Sequence, residues 1–159
     1  MEAKRYTVYE SPVGPLLLAG RRGALTDLRF GRRPRSGWVR DDAAFAQVRS
    51  QLDAYFRGEL RRFTVKLAPE GTPFQMAAWR QLRRIPYGAT ITYGEQARRM
   101  GRPGAARAAG GANRENPISI IIPCHRVIGA DGRLTGFGGG LGIKRHLLEL
   151  EGAGEGIRG

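Results

Sequence analysis

Soft metal ligands are scarce in this chain of 159 residues, which holds one cysteine, Cys124, and two histidines. A lone cysteine cannot close an intrachain disulfide, which fits a reducing compartment. One Cys and two His are also too few for a zinc finger or ribbon, so neither a metal site nor a cofactor is expected. Acidic residues are few too, 14 against 27 basic ones, for a formal net charge of +13. Lysine supplies only 3 of those cations and arginine 24. Long apolar runs are missing. Pro15 to Ala19 and Ile118 to Val127 fall far short of the ~20 residues a transmembrane helix needs. The opening Met1–Arg5 runs into alternating sequence, not a leader's apolar core, so no leader and a cytoplasmic location are expected.

What is present is ordinary globular composition, 41% hydrophobic and 26% charged, at a length for one domain or two small ones. The excess of positive charge suits a polyanionic partner, nucleic acid or an anionic membrane surface. The competing explanation is an arginine bias of genome composition, with the side chains merely solvated.

The first part of the chain reads as a small α/β unit. Arg5 to Glu10 alternates as a half-buried strand does, Ser11-Pro12-Val13-Gly14 is a turn, and Pro15 to Ala19 is the hairpin partner. Ala24 to Phe30 predicts a third strand and basic Gly31 to Arg40 a loop. Phe45, Val48, Leu52, Tyr55 and Phe56 recur at helical spacing after Asp41-Asp42, and Gly58 ends the helix. Phe63 to Leu67 predicts another short strand, and Ala68-Pro69-Glu70-Gly71 the boundary, giving domains 1–71 and 72–159.

The second part is mostly helical. Thr72, Pro73 and Gln75 form a capping box, and Phe74, Ala78, Leu82 and Ile85 share one face with Trp79 beside them. Thr92 and Glu95 suggest a second capping box, opening a short helix from Tyr93 to Met100. After Gly101-Arg102-Pro103-Gly104, a helix of Ala, Gly and Arg runs from Ala105 to about Asn113. Two short helices around a glycine-containing turn make a helix-turn-helix. Many helical proteins contain such a pair, but here Arg98, Arg99, Arg102, Arg107 and Arg114 crowd it. An Ala/Gly helix presses close to another surface, and an arginine on it then projects well beyond its neighbours, which favours DNA.

The chemistry converges on Pro123-Cys124-His125-Arg126-Val127, at the end of the buried β-branched run Ile118–Ile122. Beside His and Arg, a thiol's pKa falls from ~8.5 and its nucleophilic thiolate grows. The alternative is an inert buried thiol. Consecutive strand side chains point to opposite faces, so His125 needs a turn or a bridging water to reach the sulfur. Gly136 to Gly140 forms a glycine-rich loop whose amides could approach a ligand closely. Beyond it, Leu141, Ile143, Leu147, Leu148 and Leu150 set an apolar helix face. Glu151 follows Ile143 and Leu147 at four-residue steps, where a carboxylate needs a partner. His125 is the candidate; Glu149, Glu155 and His146 read as surface residues.

These residues resemble the O6-alkylguanine-DNA alkyltransferases. The resemblance rests on Pro123–Val127 and on Ile91-Thr92-Tyr93, Ala105–Gly110, Asn116-Pro117 and Gly138–Leu141 in order around it. It implies an α+β protein, a small ribonuclease H-like α/β domain followed by a helix-turn-helix domain carrying the active-site cysteine. It implies stoichiometric direct repair, in which Cys124 accepts the alkyl group of O6-alkylguanine, and of O4-alkylthymine, from duplex DNA. The partner is then double-stranded DNA entered from the minor groove, with the base flipped into a pocket. The protein would be a monomer in solution, with cooperative assembly on DNA left open.

By the same resemblance Glu151 orients His125, which takes the Cys124 proton through a water, and Asn116 braces the turn. Tyr93, the backbone of Val127, Phe137, Gly138 and Gly139 hold the guanine. Arg107 fills the gap in the base stack, with Thr92, Ala105, Ala106, Ala108, Gly110, Arg114 and Arg126 also on DNA. Gly138 stands where some relatives carry Ser, and Phe137 where Tyr is frequent. Two alternatives are a non-catalytic lesion-binding relative, disfavoured by Cys124, and a cysteine hydrolase using Cys124, His125 and Glu151.

Overall fold

The computed structural model describes residues 2–137 and 139–154. The chain divides into two compact units between Glu70 and Gly71.

In the first unit, β1 (Arg5–Ser11), β2 (Gly14–Arg21) and β3 (Ala24–Phe30) form an antiparallel meander. The predicted loop from Gly31 contains one exception: β4 (Val39–Arg40) pairs parallel with β1 and completes the sheet order β3-β2-β1-β4. Leu16, Leu18 and Leu28 are wholly buried. A 3-10 turn capped by Asp41 leads into α1 (Ala46–Phe56), which buries Val48, Leu52 and Tyr55. The predicted strand Phe63–Leu67 does not form. Its backbone makes only a single bridge, Leu25 to Leu67, with Leu25 N–H donating to Lys66 C=O and Ala68 N–H to Leu25 C=O. Thr64 instead bonds the Gln51 amide through both its N–H and its hydroxyl, which takes that segment away from a sheet edge.

The second unit begins with α2 (Pro73–Leu82), closed by the full Thr72–Gln75 capping box. After β5 (Ile91–Thr92) come α3 (Tyr93–Arg99) and α4 (Ala106–Arg114), the helix-turn-helix pair. The Thr92 cap is one-sided. Its hydroxyl accepts from Glu95 N–H, while the Glu95 carboxylate turns to the stronger charges of Arg98 and Arg99. A 3-10 turn, Cys124–Arg126, precedes β6 (Val127–Ile128), which runs parallel to β5. Helix α5 (Leu141–Leu150) ends at Glu151.

The helix pair is locked by a reciprocal amide pair that sequence patterning did not expose. Gln96 Nε2 donates to Asn113 Oδ1 at 2.9 Å, and Asn113 Nδ2 donates back to Gln96 Oε1 at 2.8 Å. Trp79 Nε1–H donates to Ala112 C=O at 2.8 Å, fastening α2 to the same helix. Gln96 is fully buried and Asn113 nearly so, so neither amide can turn to water. Gln96→Leu should therefore lower unfolding stability by about 1–3 kcal/mol, because Asn113 keeps a buried, unmatched amide. Urea titration checks this; a change near zero would show the pair to be dispensable.

Candidate active site

The active-site turn is built on backbone strain. The run Ile118–Ile122 is buried, as its composition predicts, but it coils and forms no strand. Ile120 has a φ of 73°, a costly conformation for a β-branched residue. Asn116 holds the coil in place: its Nδ2 donates to Ile122 C=O at 2.7 Å and its Oδ1 accepts from Ile118 N–H at 3.0 Å. The coil delivers Cys124, His125 and Arg126 on successive residues of a 3-10 turn, all three buried. The alternation expected of a strand does not apply here.

His125 and Arg126 converge on Glu151. His125 Nε2 lies 2.8 Å from one carboxylate oxygen, and Arg126 Nε donates to the other at 2.8 Å. Arg126 Nη1 also donates to Ile85 C=O at 2.7 Å. Arg126 is therefore no DNA ligand, contrary to the expectation above, because its guanidinium is buried and committed to Glu151 and Ile85. Burial alone would raise the Glu151 carboxyl, but the hydrogen bonds from His125 and Arg126 and the charge of Arg126 outweigh it and hold it at about 2. Burial pushes the His125 pKa below its ordinary value despite Glu151, so the imidazole is a neutral base. Its Nδ1 is buried and has no hydrogen-bond partner among the described residues.

One buried cation escaped the sequence reading. Lys144 is 0% exposed, and its Nζ donates to Val127 C=O at 2.6 Å and Thr135 C=O at 2.8 Å. Its ammonium also sits 5.9 Å from the centre of the Tyr93 ring. Burial lowers its pKa to about 8, opposed by charge on Cys124. The signal was available, since Lys144 precedes Leu147, Leu148 and Glu151 by three, four and seven residues on one helical stripe. Leu141, assigned to that face, is instead 48% exposed at the helix start. Cys124 also departs from expectation. Burial pushes its thiol up, while Asn116, Lys144 and Ser119 pull the other way.

The remaining sites fall into place around this centre. The Tyr93 hydroxyl donates to Thr135 C=O at 3.0 Å. Gly110, expected on DNA, is buried facing the Tyr93 ring, where an added Cβ would lie 3.5 Å from the ring carbons. Arg107, Ala108 and Arg114 are exposed on α4, and Thr92, Ala105 and Ala106 are partly so. Phe137 and Gly139 are half-buried in the loop before α5, and His146 and Glu149 are exposed. Gly138 and Glu155 lie outside the described residues. Among the described residues, no group of three or more His, Cys, Asp or Glu could hold a metal ion, and no helix is long and apolar enough to cross a membrane.

A buried cysteine next in sequence to the histidine of a His–Glu pair, in a helix-turn-helix unit that follows a small α/β unit along the chain, defines a class of protein with known members. Residues 73–153 match the DNA-binding domain of 6-O-methylguanine DNA methyltransferase, and residues 4–69 match its ribonuclease-like domain. The methylated-DNA–protein-cysteine methyltransferase of Methanosarcina acetivorans is 52% identical over 153 residues, covering 93% of this chain and 98% of that protein. The Mycobacterium tuberculosis protein of that name is 54% identical over 150 residues, covering 92% and 91%. The crystal structure of Mycobacterium tuberculosis OGT in complex with DNA superposes with a TM-score of 0.89 at 53% identity, covering 96% of this chain and 94% of that one. The chain belongs to the 6-O-methylguanine DNA methyltransferase family.

The Glu151 pKa makes a testable statement about stability. A carboxyl lowered from 4.5 to about 2 stabilises the folded state fully above about pH 4.5, and that contribution is lost as pH falls towards 2. Glu151→Gln should be less stable than the wild type at neutral pH, with the two converging as acid protonates the wild-type carboxylate. Denaturation midpoints across pH 2–7 check this; a constant gap between the proteins would contradict it.

Proposed function

We propose that this protein repairs duplex DNA by moving the alkyl group of O6-alkylguanine onto Cys124, once per molecule. The observation that carries the reading is the buried His125–Glu151 pair adjoining the chain's only cysteine. With Nε2–H directed to Glu151, His125 Nδ1 is the acceptor that takes the thiol proton through a bridging water. The sulfur lone pair attacks the alkyl carbon, the carbon–O6 bond breaks, and guanine leaves with the bonding electrons. Tyr93 supplies a hydroxyl that helps neutralise the departing ring. The product is a thioether with no acyl carbonyl for water to attack, so no step returns the thiol.

Arginine supports the encounter with DNA. Arg107 stands exposed on a helix whose neighbours are alanine and glycine, which suits a side chain filling the gap left by a flipped base. Arg114, Thr92, Ala105, Ala106 and Ala108 belong to the same DNA-facing surface, while the Val127 backbone, Phe137 and Gly139 line the base pocket. O4-alkylthymine is the second substrate of this reading, and the protein works as a cytoplasmic monomer.

Electrostatics support the nucleophile. Glu151 and Arg126 cancel, so the charge of Lys144 is left for the thiolate. Lys144→Met should slow alkyl transfer about tenfold at neutral pH, equivalent to one unit in the thiol pKa. The gap should close above about pH 8, where wild-type Lys144 loses its own proton. Single-turnover rates against pH, with the thiolate followed by its ultraviolet absorbance, check this; a pH-independent gap would assign Lys144 to packing alone.

The direct test is exposure to duplex carrying labelled O6-methylguanine, followed by intact-mass analysis. One methyl per protein should appear on the wild type and none on Cys124→Ala. Binding without transfer would favour a lesion-binding role, and ester turnover without DNA would favour a hydrolase.

A further inference from the structure

The first unit contains a cavity of about 120 Å³ at the turn between β2 and β3. Its size is close to that of the ~150 Å³ apolar cavities that admit a benzene ring. Phe45, Val48 and Val65, all buried, contribute apolar walls. The charged residues lining it are Arg5, Arg21, Arg22 and Lys66, with no carboxylate among them. Arg5 and Arg22 have carboxylate partners, Asp41 and Glu2, but at 3.3 and 3.6 Å on exposed surface, where such pairs hold little energy.

Two features mark the cavity as more than a packing gap. Arg21 donates from Nη1 to Glu70 at 3.0 Å, yet its Nε–H is buried with no acceptor among the described residues. An unmet buried donor on a cation costs more than a kilocalorie-scale neutral one. Arg22 then occupies the left-handed region at φ 54°, ahead of Gly23 at φ 75°. The two-residue hairpin turn demands positive φ at both positions, which Asn-Gly would meet with less strain. Backbone strain held at a cationic residue that lines a cavity is the pattern of a binding site.

We propose that this cavity binds a small organic anion with a flat apolar body, such as an aromatic carboxylate. The ring would lie against Phe45, Val48 and Val65, and the carboxylate would lie between Arg5, Arg22 and Lys66, with the Arg21 guanidinium turning so that its enclosed Nε–H reaches it. This site is independent of Cys124 and of the repair reaction.

Benzoate titrated into the full-length protein and followed by two-dimensional amide NMR tests the proposal. Saturable shifts should centre on residues 20–25 and 44–48. Arg21→Met, which keeps the aliphatic stem, should weaken binding at least tenfold. Arg22→Gly should make the fold more stable, by relieving the turn, while weakening benzoate several-fold. Methyl transfer to Cys124 should be unchanged in both variants. Equal binding of neutral benzyl alcohol would overturn the proposal by showing an apolar gap without anion recognition. Equal shifts with acetate, or shifts scattered over the arginine-rich surface, would reduce it to general charge attraction. No saturable shift at millimolar benzoate would also overturn it.

Discussion

The second unit depends on one carboxylate. Glu151 stands just past the end of α5, out of water, and accepts from His125 on one oxygen and from Arg126 on the other. A buried carboxylate survives only with such partners. Each partner is itself fixed by the strained coil that Asn116 braces, so the helix end and the cysteine turn position one another. The orientation of the imidazole follows from this pair. With Nε2 engaged, only Nδ1 is left to meet a proton.

The same burial that orients the imidazole works against the nucleophile. Cys124 is 7% exposed, and its thiol is pushed up by loss of water. Adjacency to His and Arg on paper suggested an electropositive setting that would ionise the sulfur. In space the Arg126 charge is spent on Glu151, and the cation left over is Lys144, two turns earlier on the same helix. A protonated resting thiol is consistent with stoichiometric chemistry, since a sulfur that can be used once gains from staying un-ionised until a base is ready.

Much of this is legible in the sequence. The β1–β3 meander, the Thr72 capping box, the helix-turn-helix and the inward position of Glu151 follow from period, caps and turn residues, which act locally. The misreadings all concern tertiary context. Phe63–Leu67 has the composition of a strand, but Thr64 gives its N–H to the Gln51 amide, and only Leu67 bridges the open edge of β3. Ile118–Ile122 is β-branched and buried, yet it coils because Asn116 offers its backbone better partners than a neighbouring strand. Arg126 and Lys144 are cations; the resemblance assigned Arg126 to DNA, and Lys144 carried no assignment at all. Only long-range packing reveals that each lies inside.

The choice of cation at those two buried positions follows from side-chain chemistry. Arg126 meets a carboxylate with a planar fork, donating from Nε to one oxygen and from Nη2 to the other. That geometry is closed to lysine. Lys144 instead faces two carbonyls with a compact ammonium, and its charge is adjustable, since a buried lysine approaches neutrality where an arginine does not. In a chain with 24 arginines and 3 lysines, an arginine would be the default basic residue. A guanidinium at 144 would hold its charge at every accessible pH and would need more donors satisfied than two carbonyls provide. The lysine supplies a charge for the sulfur while still tolerating burial, and the arginines are left to the surfaces where permanent charge and planar contact with phosphate are wanted.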